Sequence, residues 1–344
     1  MASRLRRWLE AVWYEGRSGA LLLAPLSALF GLVSSLRRSA YRLGLRPRYR
    51  ASVPVVVVGN LSVGGTGKSP VVAALVDALQ RRGLRVGILS RGYGVELRES
   101  REVVAGVSAS EVGDEPLMHA LTTGARVVVS PDRAAGARHL ERLGVEVIIA
   151  DDGLQHYALE RDLEIVVIDA SRGFGNGRLL PAGPLREPVS RLATIDYTIV
   201  NGAAPERTDW CGREGQLALR LFPAAARRID DGREWRALEA FRGERVHAVA
   251  AIGNPKRFFD LLRQSGLTIE EHAFADHHAF VPADFAFGDR APILMTSKDA
   301  VKCRSFAEGQ MWELPVTARL SPDDGRVLID RICALVFAQQ KSHG

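Results

Sequence analysis

Four consecutive valines, Val55–Val58, run directly into a loop that carries Gly59, Gly64, Gly65 and Gly67 and ends on Lys68-Ser69. A β-branched strand, a glycine turn and a helix start in that order leave few architectures open. Glycines let backbone N–H groups turn inward around phosphate oxygens, and the helix N-terminus beyond them adds a favourable dipole. The expected cradle is Ser62, Val63, Gly64, Gly65, Thr66, Gly67, Lys68 and Ser69, with Lys68 reaching the β- and γ-phosphates and Ser69 binding Mg²⁺. The strict GxxxxGK[ST] spacing asks for glycine at position 62, where this chain has Ser62; Gly64 and Gly65 are expected to supply the flexibility.

A site of this kind needs a hydrophobic strand ending in an acid. Val145-Glu-Val-Ile-Ile-Ala-Asp151-Asp152 provides one. One carboxylate can hold Mg²⁺, directly or through water, and the other can orient the lysine or a metal-bound water.

Short apolar strands recur with helical stretches between them: Arg85–Leu89, Arg126–Val129, Val145–Ala150, Ile165–Ile168 and Tyr197–Val200. The pattern implies an α/β fold of P-loop NTPase type, a parallel sheet with helices on both faces. A helix from about Ser69 to Arg82 is expected to stop before Gly83. Residues 51–202 are assigned to this core. The polar, arginine-rich stretch 203–245 reads as a connector, and 246–340 as a smaller C-terminal α/β domain beginning at Val246–Ile252.

Charge is distributed unevenly. Residues 1–50 hold ten arginines against Glu10 and Glu15, which is +8, so the rest of a chain of net charge +6 carries about −2. A nucleic-acid-binding protein spreads positive charge over its folded domain as well, so no nucleic-acid partner is expected. Cys211, Cys303 and Cys333 are far apart and form no CxxC pair, which fits a reducing compartment without disulfides or zinc. Between the arginine groups, residues 19–36 carry no charge but are broken by Pro25 and diluted by Ser27, Ser34 and Ser35. A helix in the membrane interface fits this composition, with arginines on anionic headgroups and leucines in the acyl region. A helical hairpin packed on the protein's own surface and a spanning helix are the alternatives.

Taken in order, Asn60–Pro70, Ser90-Arg-Gly-Tyr-Gly94, Gly113-Asp-Glu-Pro116 and Asp151-Asp-Gly-Leu-Gln-His156 resemble the tetraacyldisaccharide 4′-kinases of lipid A synthesis. So do Gly175–Pro188, Asp276-His-His278 and Thr296-Ser-Lys-Asp-Ala-Val-Lys302. The resemblance implies transfer of the γ-phosphate of ATP, with Mg²⁺, to the 4′-hydroxyl of a tetraacylated glucosamine disaccharide 1-phosphate, giving lipid IVA. It also implies a location on the cytoplasmic face of the inner membrane and no obligate protein partner. An acceptor with four acyl chains stays in the bilayer, which accounts for the N-terminal segment on separate grounds.

The resemblance also implies roles. Ser69, Asp152 and Glu115 would serve Mg²⁺, and Asp151 would sit beside them, tethering Lys68. Asp114 would be the base that takes the acceptor proton, paired with His277 across a domain cleft; His278 is the alternative partner. Arg91, Tyr93 and Asn60 would contact the acceptor, Arg133 and Arg186 would neutralise phosphate charge, and Gln155 and His156 would shape the nucleotide site. A membrane-bound ATPase switch of the partitioning type is a competing reading, but its KGGxGK[ST] signature has Val63 in place of the first lysine here. A scaffold without turnover is the other, and intact Lys68, Ser69, Asp151 and Asp152 weigh against it.

Overall fold

A computed structural model describes residues 2–202, 208–230 and 232–343. Two N-terminal helices, α1 (Ala2–Tyr14) and α2 (Ala24–Arg42), precede β1 (Val55–Gly59) and α3 (Lys68–Arg81). Then come β2 (Val86–Ser90), β3 (Arg101–Glu102), α4 (Ala109–Val112), α5 (Asp114–Thr123), β4 (Arg126–Val129), α6 (Arg133–Arg142) and β5 (Val147–Asp151). The chain continues through β6 (Leu163–Asp169), β7 (Tyr197–Asn201), β8 (Gly215–Pro223), β9 (Ala226–Arg228), β10 (Trp235–Arg236) and β11 (Arg245–Ala250). It ends with α7 (Pro255–Gln264), β12 (Thr268–Ala273), β13 (Ile293–Thr296), α8 (Ser297–Cys303), β14 (Met311–Leu314), β15 (Val316–Leu320) and α9 (Pro322–His343).

The larger sheet runs β15-β8-β7-β6-β1-β5-β2-β4-β3, parallel from β8 to β4 and antiparallel only at its two edges. All of β1 is buried because both faces of a parallel sheet are covered. Val56 and Val58 pack with Val72, Leu75, Val76 and Leu79 of α3, whereas Val55 and Val57 join Ile148, Ala150, Val166 and Ile168 on the other face. The chain moves to one side of β1 through β2, β4 and β5, then crosses to the other with β6 to β8. Such a switch of direction opens a crevice at the carboxyl ends of the central strands. The α/β class with helices on both faces is therefore as the sequence indicates.

The domain limits differ from the sequence reading. The stretch 203–245 holds β8, which pairs in parallel with β7, and β9, which enters the smaller sheet β10-β9-β14-β13-β11-β12. At its far end the chain returns: β15 pairs with β8, and Leu328, Ile329, Ile332 and Val336 of α9 lie in the core of the larger domain. In β8 the buried Leu217 and Leu219 alternate with the exposed Ala218 and Arg220. A strand with one wet face carries no continuous apolar run, so it does not read as a parallel-sheet strand.

The N-terminal helices are docked on one side and bare on the other. Val12 is buried, Trp13 Nε1 donates to the Pro181 carbonyl at 2.9 Å, and Ser27 Oγ donates to the Leu179 carbonyl at 2.8 Å. A Cβ at Gly31 would meet Leu179 Cδ1 at 2.8 Å, so the glycine sets how closely α2 approaches. No residue of α2 is fully buried, and Leu22, Leu26, Leu29, Val33 and Leu36 project outward, Leu22 with 81% of its surface free. Arg38 pairs with Glu187, Arg48 with Glu160 and Arg50 with Asp162, so part of the basic charge is used within the fold. Among the described residues no helix is long and apolar enough to cross a membrane.

Candidate functional site

The loop between β1 and α3 is held from three directions. Val63 N donates to the Pro184 carbonyl at 2.8 Å, and Arg186 N donates to the Leu61 carbonyl at 2.6 Å, so the loop around Pro184 braces one flank, with Ser62 buried there. Asn60, fully buried, donates from Nδ2 to the Gly64 carbonyl at 3.2 Å. Asn201, at the end of β7, donates from Nδ2 to the Thr66 carbonyl at 3.0 Å. Gly67 has φ 91°, and a Cβ there would lie 2.1 Å from Asn201 Nδ2; only glycine fits both the backbone and the space. From the smaller domain, Gly253 abuts the loop: a Cβ on Gly253 would sit 2.7 Å from Gly65 N. Asn60 therefore braces the loop from within through its Nδ2, while its Oδ1 has no hydrogen-bond partner.

At the end of β5 the two acids part company. Asp151 is buried, and its Oδ2 lies 3.2 Å from His119 Nε2. Asp152 has φ 51°, a left-handed conformation rare outside glycine and costing about 1–3 kcal/mol. That turn aims its carboxylate at Lys68 Nζ, 3.5 Å away, and at Arg186, whose NH1 donates to both oxygens at 2.8 and 2.9 Å. Partial burial opposes ionisation of Asp152, but Lys68, Arg186 and Arg133 outweigh it and hold the carboxyl far below its usual range. The lysine thus meets Asp152 and not Asp151, because Asp151 is still in β5 while Asp152 stands just past it in the left-handed turn.

Arg133 is 3% exposed, not a surface group; its NH2 donates to the Asp151 carbonyl at 3.0 Å, while Nε and NH1 have no hydrogen-bond partner. Burial brings its pKa down to about 10 despite Asp151 and Asp152. Gln155 donates to Glu187 at 3.0 Å, in a cluster with Tyr157 and Arg191. His156 is pushed down to about 3, first by burial and then by Arg133 and Arg91, so it is neutral at physiological pH.

The second half of the site joins the domains. Asp114 opens α5, and its Oδ2 lies 3.0 Å from His277 Nδ1 across 163 residues of sequence. His277 also has a left-handed backbone, φ 61°. His278 turns away to Asp284 at 2.9 Å, so the structure selects His277 as the partner of Asp114. Lys298, at the start of α8, is a site residue that the sequence does not single out, although it lies in the Thr296–Lys302 motif. Its Nζ is 3.2 Å from His277 Nε2, 3.1 Å from Glu115 Oε1, 3.6 Å from Asp276 and 4.0 Å from Asp114. Burial alone would lower the pKa of Lys298, but Glu115, Asp114 and Asp276 raise it above the ordinary lysine value. An ammonium only donates, so His277 Nε2 accepts and Nδ1 carries the proton given to Asp114. Burial would raise the Asp114 carboxyl, and His277 and Lys298 more than reverse that, leaving it below its usual value.

Tyr93, 66% exposed, stands over His277 with ring centroids 4.6 Å apart, and the neighbouring Arg91 is exposed. Arg257 of α7 ties the smaller domain to the loop end of the large sheet through Asp169 at 3.4 Å and through Asn201. A P-loop lysine against one strand-end acid and an acid–imidazole pair that joins the two domains are parts suited to moving a phosphoryl group onto a hydroxyl.

Comparison with known proteins agrees with that geometry. The family model described as tetraacyldisaccharide-1-P 4′-kinase matches residues 19–334. The chain belongs to the tetraacyldisaccharide-1-P 4′-kinase family. Relatives named tetraacyldisaccharide 4′-kinase include one from Methylobacillus flagellatus, 47% identical over 97% of both chains. Another, from Shewanella amazonensis, is 46% identical over 99% of this chain and all of the relative. Among solved structures, the family's enzyme from Aquifex aeolicus in complex with ATP superposes with a TM-score of 0.73 at 32% identity, covering 91% of this chain and 99% of that one. The chain is accordingly a kinase of lipid A biosynthesis.

Proposed function

We propose that this 4′-kinase binds ATP on the Gly64–Ser69 loop and passes its γ-phosphate to the 4′-hydroxyl of a tetraacylated disaccharide 1-phosphate, with Asp114 as base. The Asp114–His277 contact at 3.0 Å carries this reading, because a P-loop ATPase without an acceptor has no use for a carboxylate base held by an imidazole from the second domain. Ser69, Asp152 and Glu115 offer only hard oxygen donors, the set Mg²⁺ takes, and the left-handed turn at Asp152 is what brings its carboxylate beside Lys68. When bound, Mg²⁺ would neutralise charge on the β- and γ-phosphates. Glu115 is held by Lys298 here, so joining that set requires it to turn from the ammonium.

Lys68 and the loop amides hold the triphosphate while Arg91 and Tyr93 receive the sugar. Asp114 is a weak base beside Lys298. That suits a loose transition state, in which the attacking hydroxyl becomes acidic only as the new P–O bond forms. Its Oδ1 accepts from Glu115 N at 3.0 Å and its Oδ2 from His277, so the carboxylate is fixed in orientation before the acceptor arrives. Transfer of labelled γ-phosphate from ATP to purified tetraacyl disaccharide 1-phosphate in mixed micelles tests the assignment; ATP binding without lipid phosphorylation would overturn it. In the same assay Lys298→Met is expected to lower kcat about 10–100-fold, the worth of a charge-assisted hydrogen bond, with little change in the KM for ATP.

The exposed face of α2 is read as the contact with an anionic bilayer, on the cytoplasmic side of the inner membrane. Leu26, Leu29, Val33 and Leu36 share one side of the helix, the docked Ser27 and Gly31 lie on another, and Arg37 and Arg42 are exposed near its end. Each buried leucine contributes about 1.5–3 kcal/mol. Changing Leu29 and Val33 to Glu is therefore expected to cut partitioning onto phosphatidylglycerol vesicles by at least about 100-fold, measured by co-sedimentation. Unchanged partitioning would remove α2 from membrane attachment.

A further inference from the structure

We propose that His247, His272 and Glu270 form a binding site for a transition-metal dication of the zinc or cobalt class, separate from the nucleotide site. His247 lies on β11 directly opposite Glu270 on β12, and His272 follows two residues on, so the three side chains share one face of the smaller sheet. His247 Nδ1 and His272 Nε2 are 3.0 Å apart, and each is 3.9 Å from a Glu270 oxygen. Ligands at about 2.05 Å around a tetrahedral ion are separated by about 3.3 Å. The two imidazole nitrogens, 3.0 Å apart, already stand close to that spacing, and the carboxylate, which meets the rings at 3.9 Å through different oxygens, needs only a small side-chain turn to close on the ion. The fourth position would be left to water.

Two features show that the cluster is pre-oriented. His247 is 2% exposed, and its Nε2 lies 3.0 Å from Asp289 Oδ1, which also accepts from Ala291 N. A carboxylate on the far nitrogen fixes the imidazole tautomer and leaves Nδ1 with its lone pair toward His272, the outer arrangement common to metal-bound histidines. The Phe287 ring lies against both imidazoles, at 4.0 Å from His272 and 4.3 Å from His247, which holds the rings in place. Arg245 pairs with Glu270 and also lies 3.9 Å from Asp289, so it has a second carboxylate to turn to when Glu270 takes up a cation. Two imidazoles with one carboxylate suit zinc, cobalt or nickel and do not suit Mg²⁺. Among the described residues this is the one group of three or more such side chains close enough to hold a metal.

The test is titration of the EDTA-treated full chain with Co²⁺, followed by its visible d–d bands, in the presence of millimolar Mg²⁺ and ATP to fill the other site. Stoichiometric uptake with the intense bands of a four-coordinate centre is expected. Glu270→Gln and His272→Gln, both partly exposed, should weaken binding at least tenfold while leaving kinase activity within about twofold, which shows that the variants fold. Asp289→Asn should weaken it about 10–100-fold through the tautomer of His247. Absence of Co²⁺ uptake, or equal uptake by His272→Gln, would overturn the proposal.

Discussion

Replacing Asp114 by Asn is expected to lower kcat by about 10²–10⁴-fold while nucleotide affinity changes little. Asn keeps the shape of the side chain but cannot accept a proton from the acceptor hydroxyl. The contacts of Asp114 lie with His277, Lys298 and Glu115 N, and none reaches the Gly64–Ser69 loop, so ATP binding should persist. Single-turnover transfer from labelled ATP, with fluorescent-nucleotide binding as the companion measurement, separates the two effects. An Asp114→Asn variant with parental kcat would take Asp114 out of the chemistry. His277→Gln is a useful comparison, because glutamine can donate to the carboxylate without being an imidazole. A smaller loss is expected there, since His277 acts through Asp114.

Lys68→Ala is expected to be the second severe lesion, and of a different kind. Lys68 begins α3 at the end of the glycine loop and lies 3.5 Å from Asp152. Its removal should cost about 10²–10³-fold in kcat, as loss of a preorganised donor to developing charge does, and should also weaken ATP binding. The same change leaves Asp152 with Arg186 and Arg133 only, so the carboxylate remains ionised and the fold should survive. Melting temperature measured beside activity checks this. A variant that turns over normally would show that the loop is not the triphosphate site. Reduced affinity together with reduced kcat for Lys68→Ala, against reduced kcat alone for Asp114→Asn, is the pattern the geometry requires.

The site is assembled from both domains, and its parts differ in how far they can be read along the chain. The glycine loop, the strand before it and the helix after it are consecutive, and their burial pattern is set by residues within a few positions of one another. The strand ending in Asp151-Asp152 is equally local. The start of α3 lies within one residue of its expected place, and β4 has the expected ends. By contrast, β8 lies inside a stretch that reads as a connector, because its alternating pattern belongs to a strand with one exposed face and its partners β7 and β15 lie on either side in the chain.

Assignments within the site separate along the same line. That Lys68 meets Asp152 while Asp151 turns to His119 follows from one left-handed residue, which no spacing rule anticipates. Asn60 and Gln155 read as ligand contacts because they stand in motifs; only folding shows that their amide nitrogens donate to the Gly64 carbonyl and to Glu187. Lys298 stands in a motif without drawing notice, because a lysine on a short helix has no signature until its neighbours are known.

From composition and order alone follow the strand–loop–helix that can cradle phosphate, the acid at the next strand's end, and an arginine-flanked apolar segment ahead of them. Each is written in residues close together, where backbone preference and hydrophobic periodicity act directly. Only folding settled which imidazole faces Asp114, that Lys298 fixes its tautomer, and that the last helix closes the first domain. Those outcomes depend on contacts within about 4 Å between segments set apart in the chain, 163 residues for Asp114 and His277 and 183 for Glu115 and Lys298, and such short-range forces choose partners only after the sheets have brought them together.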